Sequence, residues 1–158
     1  MRRRMVILLG LLMILSVLAP AASADSSNFN ASLKGRNEVP PNDSKGAGEA
    51  IFKLSKDGSE LRYKLIVANI DNVFASHIHC GAAGTNGPVG VTLFSGSPDS
   101  GAFNGILAQG TIAGPNAGNS CGWADLDAVV WAMENGAAYV NVHTNPGIPS
   151  GELRGQIK

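Results

Sequence analysis

Three histidines are the residues of this chain whose types and spacing are best suited to chemistry. His77 and His79 stand two positions apart in Phe-Ala-Ser-His-Ile-His-Cys, and His143 ends Tyr-Val-Asn-Val-His. Neutral imidazoles are common ligands of Cu(II) and Zn(II). Three of them on one ion would leave a position open for water or a substrate. The sequence therefore suggests a metal site, and the alternative is three ordinary surface histidines.

Strand alternation predicts where these side chains point, because successive side chains of a strand face opposite ways. Within residues 73–80, Phe74 and Ile78 share one face, and His77 and His79 share the other. If the isoleucine face belongs to the core, both imidazoles project to the outside.

The same alternation applies to residues 138–144. Val140 and Val142 share one face, and the opposite face carries Tyr139, Asn141 and His143. We expect a three-nitrogen site on the outer face if the two strands lie close together. Asn141 and Glu152 are the candidates for fixing the imidazoles by hydrogen bonds.

Two cysteines, Cys80 and Cys121, favour a disulfide if the protein enters an oxidising compartment. A His-His-Cys copper centre is the alternative for Cys80. It is disfavoured because alternation turns Cys80 away from His77 and His79.

The chain begins like a secretory signal peptide. Three arginines precede an apolar run, and Ala22-Ser23-Ala24 is typical of a cleavage site, so we expect residues 1–24 to be removed. Residues 25–158 then form one domain, secreted or periplasmic. This part has nine basic and twelve acidic residues, a formal net charge of −3, which argues against a nucleic-acid partner. After leader removal no stretch could span a membrane.

Short alternating segments separated by Gly, Pro, Asn and Asp predict an all-β domain. The clearest is a hairpin around Asp57-Gly58, in which Leu61, Tyr63 and Leu65 alternate with charged residues. One crossover helix is predicted between Asp125 and Gly136. This order favours an antiparallel β-sandwich or barrel with one short helix.

Four motifs in order resemble the CHRD domain, which is named for chordin and occurs in many secreted bacterial and archaeal proteins. They are Glu-Val-Pro-Pro, His-Ile-His, Tyr-Val-Asn-Val-His-Thr and Gly-Glu-Leu-Arg-Gly-Gln, spanning about Phe29 to Ile157. The resemblance implies an immunoglobulin-like sandwich with distant similarity to copper/zinc superoxide dismutases.

That similarity implies copper ligation by His77, His79 and His143, and it makes Arg154 a candidate for guiding an anionic substrate. The histidines needed for a bridge and a zinc site are missing, so a dinuclear enzyme is excluded. We therefore expect an exported domain that binds copper, with zinc as the alternative ion. The alternatives are a metal-free module for an extracellular protein or glycan partner, and a copper-only superoxide dismutase-like enzyme.

Overall fold

The computed structural model describes residues 27–158, so the expected leader lies outside the described residues. Eight strands and one helix follow in the order β1 Asn28–Lys34, β2 Ala47–Leu54, β3 Leu61–Asp71, β4 Val73–Cys80, β5 Val89–Ser95, β6 Ala102–Ile112, α1 Leu126–Glu134, β7 Ala138–Thr144 and β8 Leu153–Gln156. A 3₁₀ turn, Gly35–Asn37, follows β1. The predicted all-β class with a single short helix is confirmed for the described residues.

All strand pairs are antiparallel, and the sheet order is β5-β4-β7-β8-β1-β2-β3-β6. The sheet curls until its two end strands approach each other. The hydroxyl of Tyr63 on β3 donates a hydrogen bond of 2.7 Å to the carbonyl of Leu93 on β5. The result is a nearly closed barrel.

The core fills the inside of this barrel, as the alternation of side chains requires. On β1, Phe29, Ala31 and Leu33 are buried, whereas Asn28, Asn30 and Ser32 are exposed. On β7, Ala138, Val140 and Val142 belong to the core inside the barrel, and Tyr139 and Asn141 on the opposite face are also buried. The histidines therefore lie on the outer surface of the barrel wall.

The helix α1 lies between β6 and β7 and begins at a capped end. Asp125 is extended, and its carboxylate accepts a hydrogen bond of 3.0 Å from the amide of Ala128. Its buried side, which includes Val129 and Met133, packs on the core. Among residues 27–158, no helix is long and apolar enough to cross a membrane.

Candidate metal centre

Adjacent strands β4 and β7 bring the three histidines together. The register pairs His77 with Asn141, His79 with Tyr139, and Ala75 with His143. One nitrogen from each imidazole lies within 4.8 Å of the other two. The expectation that two strands would bring these side chains to one place is confirmed.

The side chain of His79 has one nitrogen bonded and one without a partner. Its Nδ1 lies 2.9 Å from the carbonyl oxygen of Gly87, so Nδ1 carries the proton and donates. Its Nε2 is then a lone-pair acceptor. This atom is buried and has no hydrogen-bond partner within residues 27–158. An unpaired buried acceptor costs free energy unless something else uses its lone pair.

His143 is oriented in the same way by a different loop. Its Nδ1 lies 2.9 Å from the carbonyl oxygen of Pro149 and therefore donates to it. Its Nε2 lies 3.2 Å from Nδ1 of His77. Because Nε2 of neutral His143 has a lone pair, the Nδ1 of His77 carries the proton in this contact.

These contacts define the donor atoms that could face one ion. They are Nδ1 of His77 and Nε2 of His79 and His143. For His77 to be a ligand through Nδ1, its proton must move to the other ring nitrogen. Carbonyl groups already fix the other two imidazoles in the tautomer that a metal needs, as is common for metal-bound histidines.

All three imidazoles are held neutral. Burial is the main reason that the pKa of His77 falls to about 4, and repulsion by the neighbouring His143 and His79 adds to it. Burial also lowers the pKa of His79 and His143, although the carbonyls of Gly87 and Pro149 oppose this. Neutral imidazole is the form that binds metal ions, so the cluster is ready for ligation at neutral pH.

The spacing comes close to what a metal ion needs. Metal–imidazole bonds of about 2.1 Å allow two nitrogens on one ion to be at most about 4.2 Å apart. The 3.2 Å between His77 and His143 fits this limit. The upper separation of 4.8 Å exceeds it, so binding would draw the rings together by several tenths of an ångström.

The histidines lie on the outer face as expected, but they are less exposed to solvent than residues on an open sheet face would be. His79 is only 9 % exposed, because its ring stacks on Tyr139 with centroids 4.9 Å apart and planes within 10°. The loop between β4 and β5 covers it, and the hydroxyl of Tyr139 accepts a hydrogen bond of 3.2 Å from the amide of Gly87.

Arg154 lies under this stack and is not on an open path for an anion. Its guanidinium carbon is 3.5 Å from the centroid of the Tyr139 ring, and the residue is 2 % exposed. Its nitrogens donate to Asn86 (3.0 Å), Thr85 (2.6 Å) and Ala82 (3.3 Å) of the covering loop. The structure thus shows Arg154 organising this loop, and the expected anion-guiding role gains no support.

Glu38 and Asn141 form a buried pair near the histidines. The Asn141 amide donates a hydrogen bond of 2.6 Å to Oε1 of Glu38. Burial raises the pKa of Glu38 to about 7, and the positive charge of Arg154 opposes this rise. Neither of the two side chains expected to fix the imidazoles has a hydrogen bond to one of them. Asn141 bonds Glu38, and Glu152 bonds Ser44 and Thr144 at 2.6 Å each.

The predicted position of Phe74 is wrong. Its ring lies beside His143, with centroids 5.9 Å apart, and not on the core face with Ile78. The pairing of β4 with β7 is irregular between Val73 and Ala75. An irregularity of this kind interrupts the alternation of side chains, which the sequence pattern alone did not reveal.

The disulfide prediction is confirmed. Cys80 and Cys121 are joined, with their Cα atoms 5.7 Å apart. The bond connects the end of β4, next to His79, to the loop that precedes α1. Cys80 is therefore not a third ligand beside His77 and His79.

The segment that forms the barrel matches a known protein family. The model of the CHRD domain matches residues 29–157. The chain belongs to the CHRD domain family. No curated protein and no solved structure matches it. Within this CHRD domain the three histidines come from two of the motifs that carried the resemblance, His-Ile-His and Tyr-Val-Asn-Val-His-Thr.

Sequence reasoning missed the groups that orient the histidines. Gly87 and Pro149 act through backbone carbonyls, which no side-chain pattern reveals. Glu38 was not among the residues expected at the site, and it reaches Asn141 from 103 positions away. The sequence signal that could have identified Glu38 is the Glu-Val-Pro-Pro motif, because Glu38 begins this motif and the motif is one of the four that resemble the CHRD domain.

Proposed function

We propose that this CHRD-domain protein is exported and binds one metal ion, copper in preference to zinc, through His77, His79 and His143. The observation that carries the proposal is the buried, unpaired Nε2 of His79, beside two other imidazoles that are held neutral. A bound ion would use this lone pair and remove the cost of leaving it unpaired.

Copper is favoured by the chemistry of the donors. Imidazole suits both copper and zinc, and affinity for a given set of nitrogen donors is highest for Cu(II) among the divalent ions of the first transition row. Three protein nitrogens leave room for a water or another small ligand. Dismutation of superoxide is not part of the proposal, because Arg154 is buried and bonded to a loop.

Export is supported by the N-terminal leader pattern and by the disulfide, a bond typical of oxidising compartments. N-terminal sequencing of protein recovered outside the cytoplasm tests this part of the proposal. We expect the chain to begin at Asp25, and intact residues 1–24 on the recovered protein would contradict it.

Metal binding is tested by titrating the purified protein with Cu(II) and with Zn(II), and by electron paramagnetic resonance of the copper-loaded sample. We expect one equivalent of copper with nitrogen hyperfine structure. His79→Gln should weaken affinity by about a hundredfold or more, beyond the effect expected for losing a group that only orients a ligand. Gln109→Ala, on the outside of β6 and away from the histidines, is the control and should bind like the unchanged protein.

One outcome of the titrations would contradict the proposed metal site. If His79→Gln and the triple variant His77→Gln/His79→Gln/His143→Gln bind copper as tightly as the Gln109→Ala control, the metal is held elsewhere and the proposal fails. Circular dichroism of each variant checks that the barrel is intact before titration.

A further inference from the structure

A cleft of about 520 Å³ lies on the outer face of β1 and β8, away from the histidines. Its floor comes from outward-facing side chains of these two strands, including Ser32 and Gln156. Its rim comes from Ala83 and Gly84 of the loop that covers the metal centre. Clefts of this size hold small organic molecules and are larger than a single inorganic ion requires.

The cleft collects positive charge in a chain that is otherwise acidic. Residues 27–158 contain nine lysines and arginines, and three accessible ones line it: Lys34, Arg36 and Lys158. Arg154 also lines the cleft, but its guanidinium is buried and bonded to the covering loop. No aspartate or glutamate side chain of residues 27–158 is among the lining residues. A concave surface lined by one sign of charge attracts ligands of the opposite sign.

The remaining lining is polar and suits a hydroxylated ligand. Asn30 and Ser32 contribute an amide and a hydroxyl group. The side-chain nitrogen of Gln156 already donates to the carbonyls of Gly81, Gly136 and Ala138, so Gln156 shapes the floor without offering a free donor. Side chains of this type exchange hydrogen bonds with sugar hydroxyls, while lysine and arginine donate charge-assisted bonds to carboxylates. We propose that this cleft binds an acidic sugar, a short oligosaccharide that carries uronate carboxylates.

The cleft and the candidate metal centre share one side chain, but ligand binding in the cleft does not require a bound metal. Arg154 lines the cleft and also supports the Tyr139 ring on which His79 stacks. The proposal does not depend on metal binding, since its charges and polar groups belong to β1, β8 and their flanking residues. It is therefore tested on protein treated with a chelator.

The experiment is calorimetric titration of the purified protein with digalacturonate at low salt. The neutral disaccharide galactobiose is the matched ligand without carboxylates, and inorganic phosphate is the small-ion probe. We expect one site for digalacturonate that weakens as salt is added, and no measurable heat of binding for galactobiose.

Two variants with equal changes in net charge separate the cleft from the overall charge. Lys34→Gln/Lys158→Gln removes two cleft cations and should weaken digalacturonate binding about tenfold or more, since each charge-assisted hydrogen bond makes a substantial contribution. Lys53→Gln/Lys64→Gln removes two exposed cations of β2 and β3 and should leave the affinity unchanged. Arg154 is left intact because its loop contacts are structural.

Equal weakening in the two variants would show a general charge effect and overturn the proposal. It is also overturned if galactobiose binds as well as digalacturonate, or if only phosphate binds. An amide NMR titration gives an independent check, with shifts expected at Asn30, Ser32 and Gln156. Shifts confined to other strands would place the ligand elsewhere and contradict the proposal.

Discussion

The orientation and the tautomer of the His79 ring are both fixed by its neighbours. The Gly87 carbonyl holds one nitrogen, Tyr139 covers the ring face, and the second nitrogen is buried without a partner. Each constraint removes a rotation or a tautomer that would turn the lone pair away. Such preorganisation lowers the cost of ordering ligands when an ion binds.

The Tyr139 ring is the first of these constraints that mutation can test. Tyr139→Leu removes the surface between His79 and Arg154, so we expect copper affinity to fall by about tenfold, as for other groups that orient a ligand. Tyr139→Phe keeps the ring and loses only the hydroxyl contact with Gly87. Competition titration against a copper chelator should therefore rank the variants as unchanged protein, then Phe, then Leu. Equal affinity of the Leu and Phe variants would show that stacking is irrelevant.

Glu38 predicts a specific pH dependence of stability. Its folded-state pKa is about 7, above the ordinary value of 4.5, so the folded protein holds this proton more tightly than the unfolded chain. The stabilisation is therefore fully present below pH 4.5 and is lost as the pH rises through 7. The histidines act in the opposite direction, because their lowered pKa makes the unfolded chain bind protons more readily below 6.5.

Glu38→Gln separates these contributions, because the amide oxygen can still accept the Asn141 hydrogen bond. Melting temperatures of the variant and the unchanged protein should be compared from pH 4.5 to 7.5 in the presence of a chelator. We expect the difference between them to shift against the unchanged protein as the pH rises. A constant difference across this range would contradict the raised pKa.

At the scale of elements, regular strands were predictable and their irregularities were not. In β3, Leu61 and Leu65 are buried at the alternate positions that the sequence indicated. The predicted helix is also present, because Asp125 and Gly136 give local signals for its two ends. By contrast, the misplacement of Phe74 comes from an irregular pairing between β4 and β7, which depends on a partner about seventy positions away.

The candidate site also has features that local sequence predicts and features that depend on distant contacts. Which faces carry the histidines follows from local alternation around His77 and His143. How they are covered depends on loops whose conformation is set by distant contacts, such as those from Arg154 to Thr85 and Asn86. The sequence therefore predicted which three histidines could share a face, and it left their burial and their fixed tautomers undetermined.

The disulfide gives a prediction about β4 and the loop before α1. It closes a separation of 41 residues. For a loop of this length the chain-entropy model assigns about 4 kcal/mol of stabilisation. Cys80→Ser/Cys121→Ser should lower the free energy of unfolding by roughly that amount in urea titrations. Copper affinity should change much less, because β4 remains paired with β5 on one side and β7 on the other. A variant that is as stable as the oxidised protein, or one that loses copper first, would contradict this expectation.

For the whole molecule, the barrel has a seam between its end strands, β5 and β6. No ladder of backbone hydrogen bonds joins these two strands within the described residues. The Tyr63 hydroxyl, donating to Leu93, is a side-chain link across this region. We therefore expect local opening of the protein to begin here.

Tyr63→Phe tests this expectation. Loss of the single hydrogen bond should cost about 1 kcal/mol of stability. Hydrogen exchange should speed up in β5, whereas the amides of β1 and β2 at the centre of the sheet should keep their protection. Uniform acceleration across all strands would instead mean that the seam opens only when the whole barrel unfolds.

The same seam has a consequence for how copies of the protein behave in a crowded solution. A sheet of eight strands has two edges, and an exposed edge is a template on which another chain can add a strand and start an aggregate. Here β5 and β6 are the two edges, and the curl of the sheet turns them toward each other. By nearly closing the sheet on itself, the fold keeps its own edges from recruiting a neighbour.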